Sequence, residues 1–278
     1  MKSLRCPISK GFAMVSYNND RWSMRWFVLL VIGLLLGVGV MAADLPATID
    51  KIQPAVVAVG TVQRTRTPPA AFRATGFAVA DGQYVLTNAH VLPDLLNVEQ
   101  KEYLAVFAGR GQHFEAHAAT PAAVDREHDL ALLKIDGNPL QAALNMDWSK
   151  RVREGQEVAF TGFPIGIVLG LYPVTHRGIV SALTPIAIPL PSTGQLDPTL
   201  VKRLRDPFEV FQLDATAYPG NSGSPLYDPG TGRVIGVINS VFVKESKEAV
   251  LQHPSGITYA IPIEYAKALF EKVGITAR

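Results

Sequence analysis

The sequence predicts an all-β protein built as two successive small sheets, with a helix at the C-terminus and an apolar helix ahead of the fold. Three observations predict this. Short runs rich in Val, Ala, Phe and Tyr recur from Ala55 onward, and turn residues such as Asp81-Gly82, Gly109-Arg110-Gly111 and Asp136-Gly137 punctuate them. A polar break, Asp147–Gly155 (DWSKRVREG), divides these runs into two series and reads as an interdomain linker. Ahead of both lies Trp26–Ala43, 18 residues without a charge.

That apolar run is near the lower limit for a membrane-spanning helix, which needs about 17–25 residues. Lys2, Arg5, Lys10, Arg21 and Arg25 precede it against one acid, Asp20. Positive flanks stay cytoplasmic, so residues after Ala43 should be translocated. Two readings remain open. The 25-residue polar stretch upstream is long for a signal peptide and favours an uncleaved anchor, with Trp22 and Trp26 at the interface. Val40-Met41-Ala42 has small residues where a signal peptidase cuts, which favours a cleaved signal. The segment Asp44–Gln53 is a short lead-in.

The first strand series is Ala55–Thr61, Arg73–Ala80, Tyr84–Asn88, Tyr103–Phe107, His113–Thr120 and Leu130–Ile135. Six strands in about 80 residues suggest a small closed sheet. The second is Glu157–Thr161, Pro173–Leu183, Glu209–Asp214, Ser224–Tyr227, Arg233–Val243 and Ile257–Ile261. Barrel 1 should occupy about residues 54–146 and barrel 2 about residues 153–262. Ile263–Val273 follows with helical spacing, placing Ile263, Ala266, Leu269 and Phe270 on one face. Thr184–Pro207 is long for a structureless connection, which marks it as a functional or mobile loop.

Composition excludes several function classes. The whole chain of 278 residues has a net charge of +2, too little for a nucleic-acid footprint. One cysteine, Cys6, excludes an intrachain disulfide framework and a multi-cysteine metal site. Residues 1–43 carry five bases and one acid, so the other 21 bases and 23 acids leave residues 44–278 at −2. No cofactor and no metal is expected. His113, Glu115 and His117 would share a strand face, but they lack a closed ligand set and read as an exposed polar face.

Chemistry concentrates in three places. Gly220-Asn221-Ser222-Gly223-Ser224-Pro225 can hold a serine on a tight turn, with backbone N–H groups turned into the same space. Thr87-Asn88-Ala89-His90-Val91 puts His90 just after an apolar strand. Glu127-His128-Asp129-Leu130 puts Asp129 just before another. A serine hydroxyl becomes a nucleophile when a base takes its proton, and that base needs an acid to hold its tautomer. Ser222, His90 and Asp129 are those residue types. His128 would point away from Asp129, as adjacent strand residues do. Asp214 is a competing acid.

The segments TGFAVADGQYVLTNAHV, HDLALLKI, GIVSAL, GNSGSPL, VIGVINS and GITYAIP resemble, in order, those of the HtrA/DegP serine endopeptidases. The resemblance covers about residues 46–270. It implies two six-stranded antiparallel β-barrels of the trypsin-like type, set perpendicular, with the active site between them. It makes Ser222 the nucleophile, His90 the base and Asp129 the orienting acid, favouring Asp129 over Asp214 and leaving geometry to decide between them. The N–H groups of Gly220 and Ser222 would form the oxyanion hole. Substrates would be polypeptides in the cell envelope, cut for quality control or at one regulated site.

Typical family members continue into PDZ domains, and the chain stops at Arg278 without room for one, so PDZ regulation is not expected. Relatives form trimers through N-terminal segments. Here a homotrimer would use Asp44–Gln53, unless membrane tethering replaces it. Thr216, six residues before Ser222, stands where pockets selecting Arg or Lys carry a carboxylate. Val237, Ile238, Asn239 and Ser240 should form the opposite wall. A small or medium apolar residue before the scissile bond is therefore expected. A catalytically silent scaffold that binds peptides or a partner is the rival reading. The intact Ser222, His90 and Asp129 argue against it.

Overall fold

The computed structural model describes residues 44–148, 151–164, 170–185, 207–239 and 257–276. The apolar run 26–43, most of the loop 184–207, the Lys202-Arg203-Arg205 run, His253 and Ser240 lie outside the described residues. Among those described, no helix is long and apolar enough to cross a membrane.

Helix α1, Leu45–Ile52, opens the fold with Pro46 in its first turn, where the missing N–H costs nothing. It buries Thr48 and Ile52. Six strands follow: β1 Val56–Val62, β2 Ala70–Val79, β3 Tyr84–Asn88, β4 Tyr103–Arg110, β5 His113–Asp125 and β6 Leu130–Ile135. They close into an antiparallel barrel in the order β1-β2-β3-β6-β5-β4. The second set is β7 Glu157–Gly162, β8 Val174–Pro185, β9 Glu209–Asp214, β10 Pro225–Tyr227, β11 Val234–Asn239 and β12 Ile257–Pro262. It closes in the order β10-β11-β12-β9-β8-β7.

Closure follows from the side chains. Alternate strand residues face opposite sides, and along β1, β4 and β6 the buried residues divide between two clusters by that parity. Val57, Val59, Ala74, Val85, Leu104, Val106, Ala119, Leu133 and Ile135 form one cluster. It draws on all six strands of the first barrel, so it fills the lumen. Val158, Phe160, Val180, Leu213, Leu226, Ile235 and Ala260 do the same in the second. A third cluster takes the opposite face: Phe77, Leu86, Phe107, Leu130 and Leu132 pack there with Tyr227, Val237 and Ile261. This last cluster joins the barrels, and Leu269 and Phe270 of the C-terminal helix seal it.

Two expectations change. The polar break is not a free linker. Met146 bridges to Val234, Asp147 N–H donates to the Val234 carbonyl, and Gly155 N–H donates to the Val180 carbonyl. Trp148 meets Phe270 edge to face at 5.5 Å. The two ends of this segment are thus tied to the second barrel through the backbone N–H groups of Asp147 and Gly155, despite its charged side chains. The C-terminal helix also divides: Ile263–Ala266 is a 3₁₀ turn, and helix α2 spans only Lys267–Val273. Pro262 enters from β12 in an extended conformation, and the tighter turn absorbs the change of direction. The expected face is nonetheless the buried one, with Ile263, Ala266, Leu269 and Phe270 all at or below 3% exposure.

Candidate active site

His90 is placed by the turn that ends β3. Ala89 and Val91 on either side are buried, which anchors a 3₁₀ turn and leaves the His90 side chain 30% exposed. Asp129 stands just before β6 at φ 54°. Asp and Asn tolerate this left-handed region better than most residues. The conformation turns its carbonyl toward β3, where it accepts Asn88 Nδ2 at 3.1 Å and Ala89 N–H at 3.1 Å.

The Asp129 carboxylate then faces His90 squarely. Oδ1 accepts the His90 backbone N–H at 2.8 Å, and Oδ2 lies 2.6 Å from His90 Nδ1. An ionised carboxylate only accepts, so Nδ1 carries the ring proton and Nε2 is left as the basic nitrogen. Asp214 is exposed at the far end of β9 and is not the partner of His90.

Ser222 lies in the loop between β9 and β10 and is 5% exposed. Its loop is held peptide by peptide. Asn221 N–H donates to Tyr218 O, and Ser224 N–H donates to Asn221 O, each at 3.0 Å. Thr75 N–H donates to Ser222 O at 2.9 Å, and Thr75 Oγ1 donates to Gly220 O at 2.7 Å. The carbonyls of Gly220, Asn221 and Ser222 are thus all engaged. Because the peptide unit is planar and trans, turning the Asn221 carbonyl toward Ser224 turns the Ser222 N–H to the opposite side. Gly223 has φ 83°, and a Cβ there would sit 2.0 Å from Thr75 O. Only glycine meets both demands.

The segment expected as a pocket wall, Val237 to Ser240, is described as far as Asn239. Val237 and Ile238 are fully buried. Their side chains fill the inter-barrel cluster and the second lumen, because β11 is covered on both faces. Asn239, also fully buried, turns to the acid: its Nδ2 donates to Asp129 Oδ2 at 2.6 Å. Thr216 is half-buried on the segment before the loop. Beside it, Thr258 Oγ1 donates to Ala215 O at 2.6 Å and accepts Ala217 N–H at 2.9 Å. Thr75, Thr87 and Thr258 escape sequence reasoning, since a buried threonine in a strand carries no signal of its partner.

His128 turns away from Asp129. Its Nδ1 lies 2.6 Å from Asp125 Oδ2, and its ring stacks on Tyr265 at 4.2 Å. Burial alone would push the Asp125 carboxyl up. The hydrogen bonds from the His128 side chain and backbone outweigh it and hold Asp125 below the usual aspartate value. On β5, His117 Nε2 stands 3.9 Å from Glu115. No group of three His, Cys, Asp or Glu side chains among the described residues could hold a metal ion.

Comparison with known proteins shows the family of the chain. A family model described as a trypsin-like peptidase domain matches residues 74–237. A probable periplasmic serine endoprotease, DegP-like, from Halomonas elongata is 31% identical over 192 residues, which is 69% of this chain and 33% of the relative. The mitochondrial serine protease HTRA2 of Drosophila virilis is 32% identical over 211 residues, 76% of this chain and 42% of its own length. The chain therefore spans between a third and a half of these relatives. A crystal structure of the serine endoprotease from Yersinia pestis superposes with a TM-score of 0.56 at 25% identity, covering 84% of this chain and 67% of that one.

Proposed function

This chain belongs to the trypsin-like peptidases, and on that premise we propose that it is a serine endopeptidase of the HtrA/DegP type. The observation that carries the proposal is the two-point hold of Asp129 on His90, through the backbone N–H at 2.8 Å and through Nδ1 at 2.6 Å. That arrangement fixes the ring and leaves Nε2 as a base for Ser222.

In the proposed reaction, His90 Nε2 takes the Ser222 Oγ proton as Oγ attacks the scissile carbonyl carbon. The carbonyl oxygen gains the electron pair and is stabilised by the N–H groups of Gly220 and Ser222. The C–N bond then breaks, and His90 returns its proton to the leaving amine. An acyl-enzyme on Ser222 remains. Water attacks the ester with the same base, releasing the acid and restoring Oγ–H. Asp129 stays ionised throughout and holds the Nδ1 proton in place.

The substrates we propose are polypeptides with a small or medium apolar residue before the scissile bond, since Thr216 brings no charge to that pocket. Names of the DegP-like relatives support an envelope location. The apolar run 26–43 would be its anchor or its signal, which N-terminal sequencing of the processed protein decides. Hydrolysis of casein by the wild type, lost in Ser222→Ala, is the expected result. Equal cleavage by the variant would overturn the assignment, and absence of fluorophosphonate labelling at Ser222 would favour a silent scaffold.

A further inference from the structure

We infer that Thr75, a strand residue of the first barrel, is the positioning residue that holds the nucleophile loop of the second barrel in its working shape. The inference rests on the protease reading and adds a residue to it.

Thr75 is fully buried, and its side chain points out of the first lumen toward the second barrel. Its hydroxyl makes both of its bonds across the junction, donating to Gly220 O at 2.7 Å and accepting the Phe163 N–H at 3.0 Å. Its backbone N–H reaches Ser222 O at 2.9 Å, and its carbonyl accepts Thr87 Oγ1 at 2.7 Å. Thr87 lies on β3, three residues before His90. One residue thus touches the strand that presents the base and both ends of the segment Gly220–Ser222.

Gly220 needs such a restraint. It sits at φ 102°, and a glycine passes among many backbone conformations at little cost. The hydroxyl on its carbonyl fixes the following peptide plane, whose N–H reaches Tyr218 O at 3.0 Å. Without the hydroxyl, only the Asn221 N–H bond to Tyr218 O still holds the Gly220–Asn221 peptide, and the turn that carries the Gly220 and Ser222 N–H groups loosens. The surroundings leave no slack: a Cβ on Gly223 would meet Thr87 Oγ1 at 2.4 Å, and one on Gly162 would meet Thr75 Oγ1 at 3.0 Å. A donor aimed where charge develops acts in the transition state more than in the ground state. Loss of the hydroxyl should therefore appear in kcat and not in KM.

The test compares Thr75→Val, which keeps the shape without the hydroxyl, with Thr75→Ser, which keeps the hydroxyl. We expect Thr75→Val to lower kcat about 10- to 100-fold with KM within about twofold. Its affinity for a peptide boronate, which mimics the tetrahedral adduct, should fall in parallel. Thr75→Ser should restore kcat to within about threefold. Unchanged kcat in Thr75→Val, or equal losses in kcat and boronate affinity for the Val and Ser variants, would overturn the inference. If Thr75→Val does not fold, Thr75→Ala against Thr75→Ser isolates the same hydroxyl, and equal kcat in those two would overturn it. Absence of Ser222-dependent hydrolysis in the wild type would instead bring down the protease reading itself.

Discussion

Asn239 donates from Nδ2 to Oδ2 of Asp129 at 2.6 Å, the same oxygen that meets His90 Nδ1. A residue of the second barrel thereby holds the carboxylate of the first. Hydrogen bonds to an ionised acceptor are about twice as strong as neutral ones. Removing this one should loosen the carboxylate while His90 keeps its own two contacts. Asn239→Ala is expected to lower kcat/KM about tenfold, measured by steady-state peptide hydrolysis. Asn239→Asp should cost more, because it sets a second carboxylate against the first.

Asp129→Asn separates charge from shape. Asparagine accepts φ 54° as aspartate does, so the loop should fold normally. Its amide can donate to Nδ1, which then leaves the proton on Nε2, the wrong tautomer for a base. A drop in kcat of about 10⁴-fold is expected, with a lowered melting temperature, because the new amide N–H group faces the buried Asn239 Nδ2 donor. A drop of less than tenfold would show that the carboxylate does not set the tautomer.

Gly223→Ala tests the close approach of the barrels. The new Cβ would meet Thr75 O at 2.0 Å in a backbone region that alanine avoids. Destabilisation on the order of 3 kcal/mol is expected, read as a lower urea midpoint. Ser224→Ala, at the next residue, should be far milder, since the buried Ser224 Oγ has no hydrogen-bond partner among the described residues to lose.

Asp125 gives a pH prediction. Its folded pKa lies below the ordinary value because its bonds to His128 outweigh burial. A group depressed in the folded state binds its proton more readily once unfolded. Its stabilisation is therefore fully present above the unfolded value, about 3.9, and fades as pH falls through the folded value. Asp125→Asn should melt below the wild type at pH 7, and the gap should narrow as pH approaches 3. A gap that stays constant from pH 7 to pH 3 would contradict the shift.

The strands were legible where turn chemistry bounds them. Tyr84–Asn88, Leu130–Ile135 and Glu209–Asp214 fold with the bounds their sequence predicts. Strand β5 runs past the expected Thr120 to Asp125, because a bulge between Pro121 and Ala123 absorbs the missing proline N–H. The two-barrel plan was legible from counting strands, whereas the docking of Asp147–Gly155 onto the second barrel was not. Polar side chains there hid the fact that the backbone does the pairing. Around the site, local motifs carry His90, Asp129 and Ser222, each beside a strand end. The burial of Val237 and Ile238 needed the sheet itself, since a strand covered on both faces shows no alternation. The partners of Thr75 and Asn239 are 145 and 110 positions away in sequence, a separation that no local pattern encodes.

Each barrel is made of six consecutive strands, and this sets an order in time. All strands of the first are present once residue 135 has been made, and those of the second only after residue 262. Chains are synthesised from the N-terminus, and their domains fold as units in that order. His90 and Asp129 can meet while the segment bearing Ser222 is still to come. On the proposed reading, a chain interrupted before residue 222 holds the base and the acid but no nucleophile to turn on its neighbours.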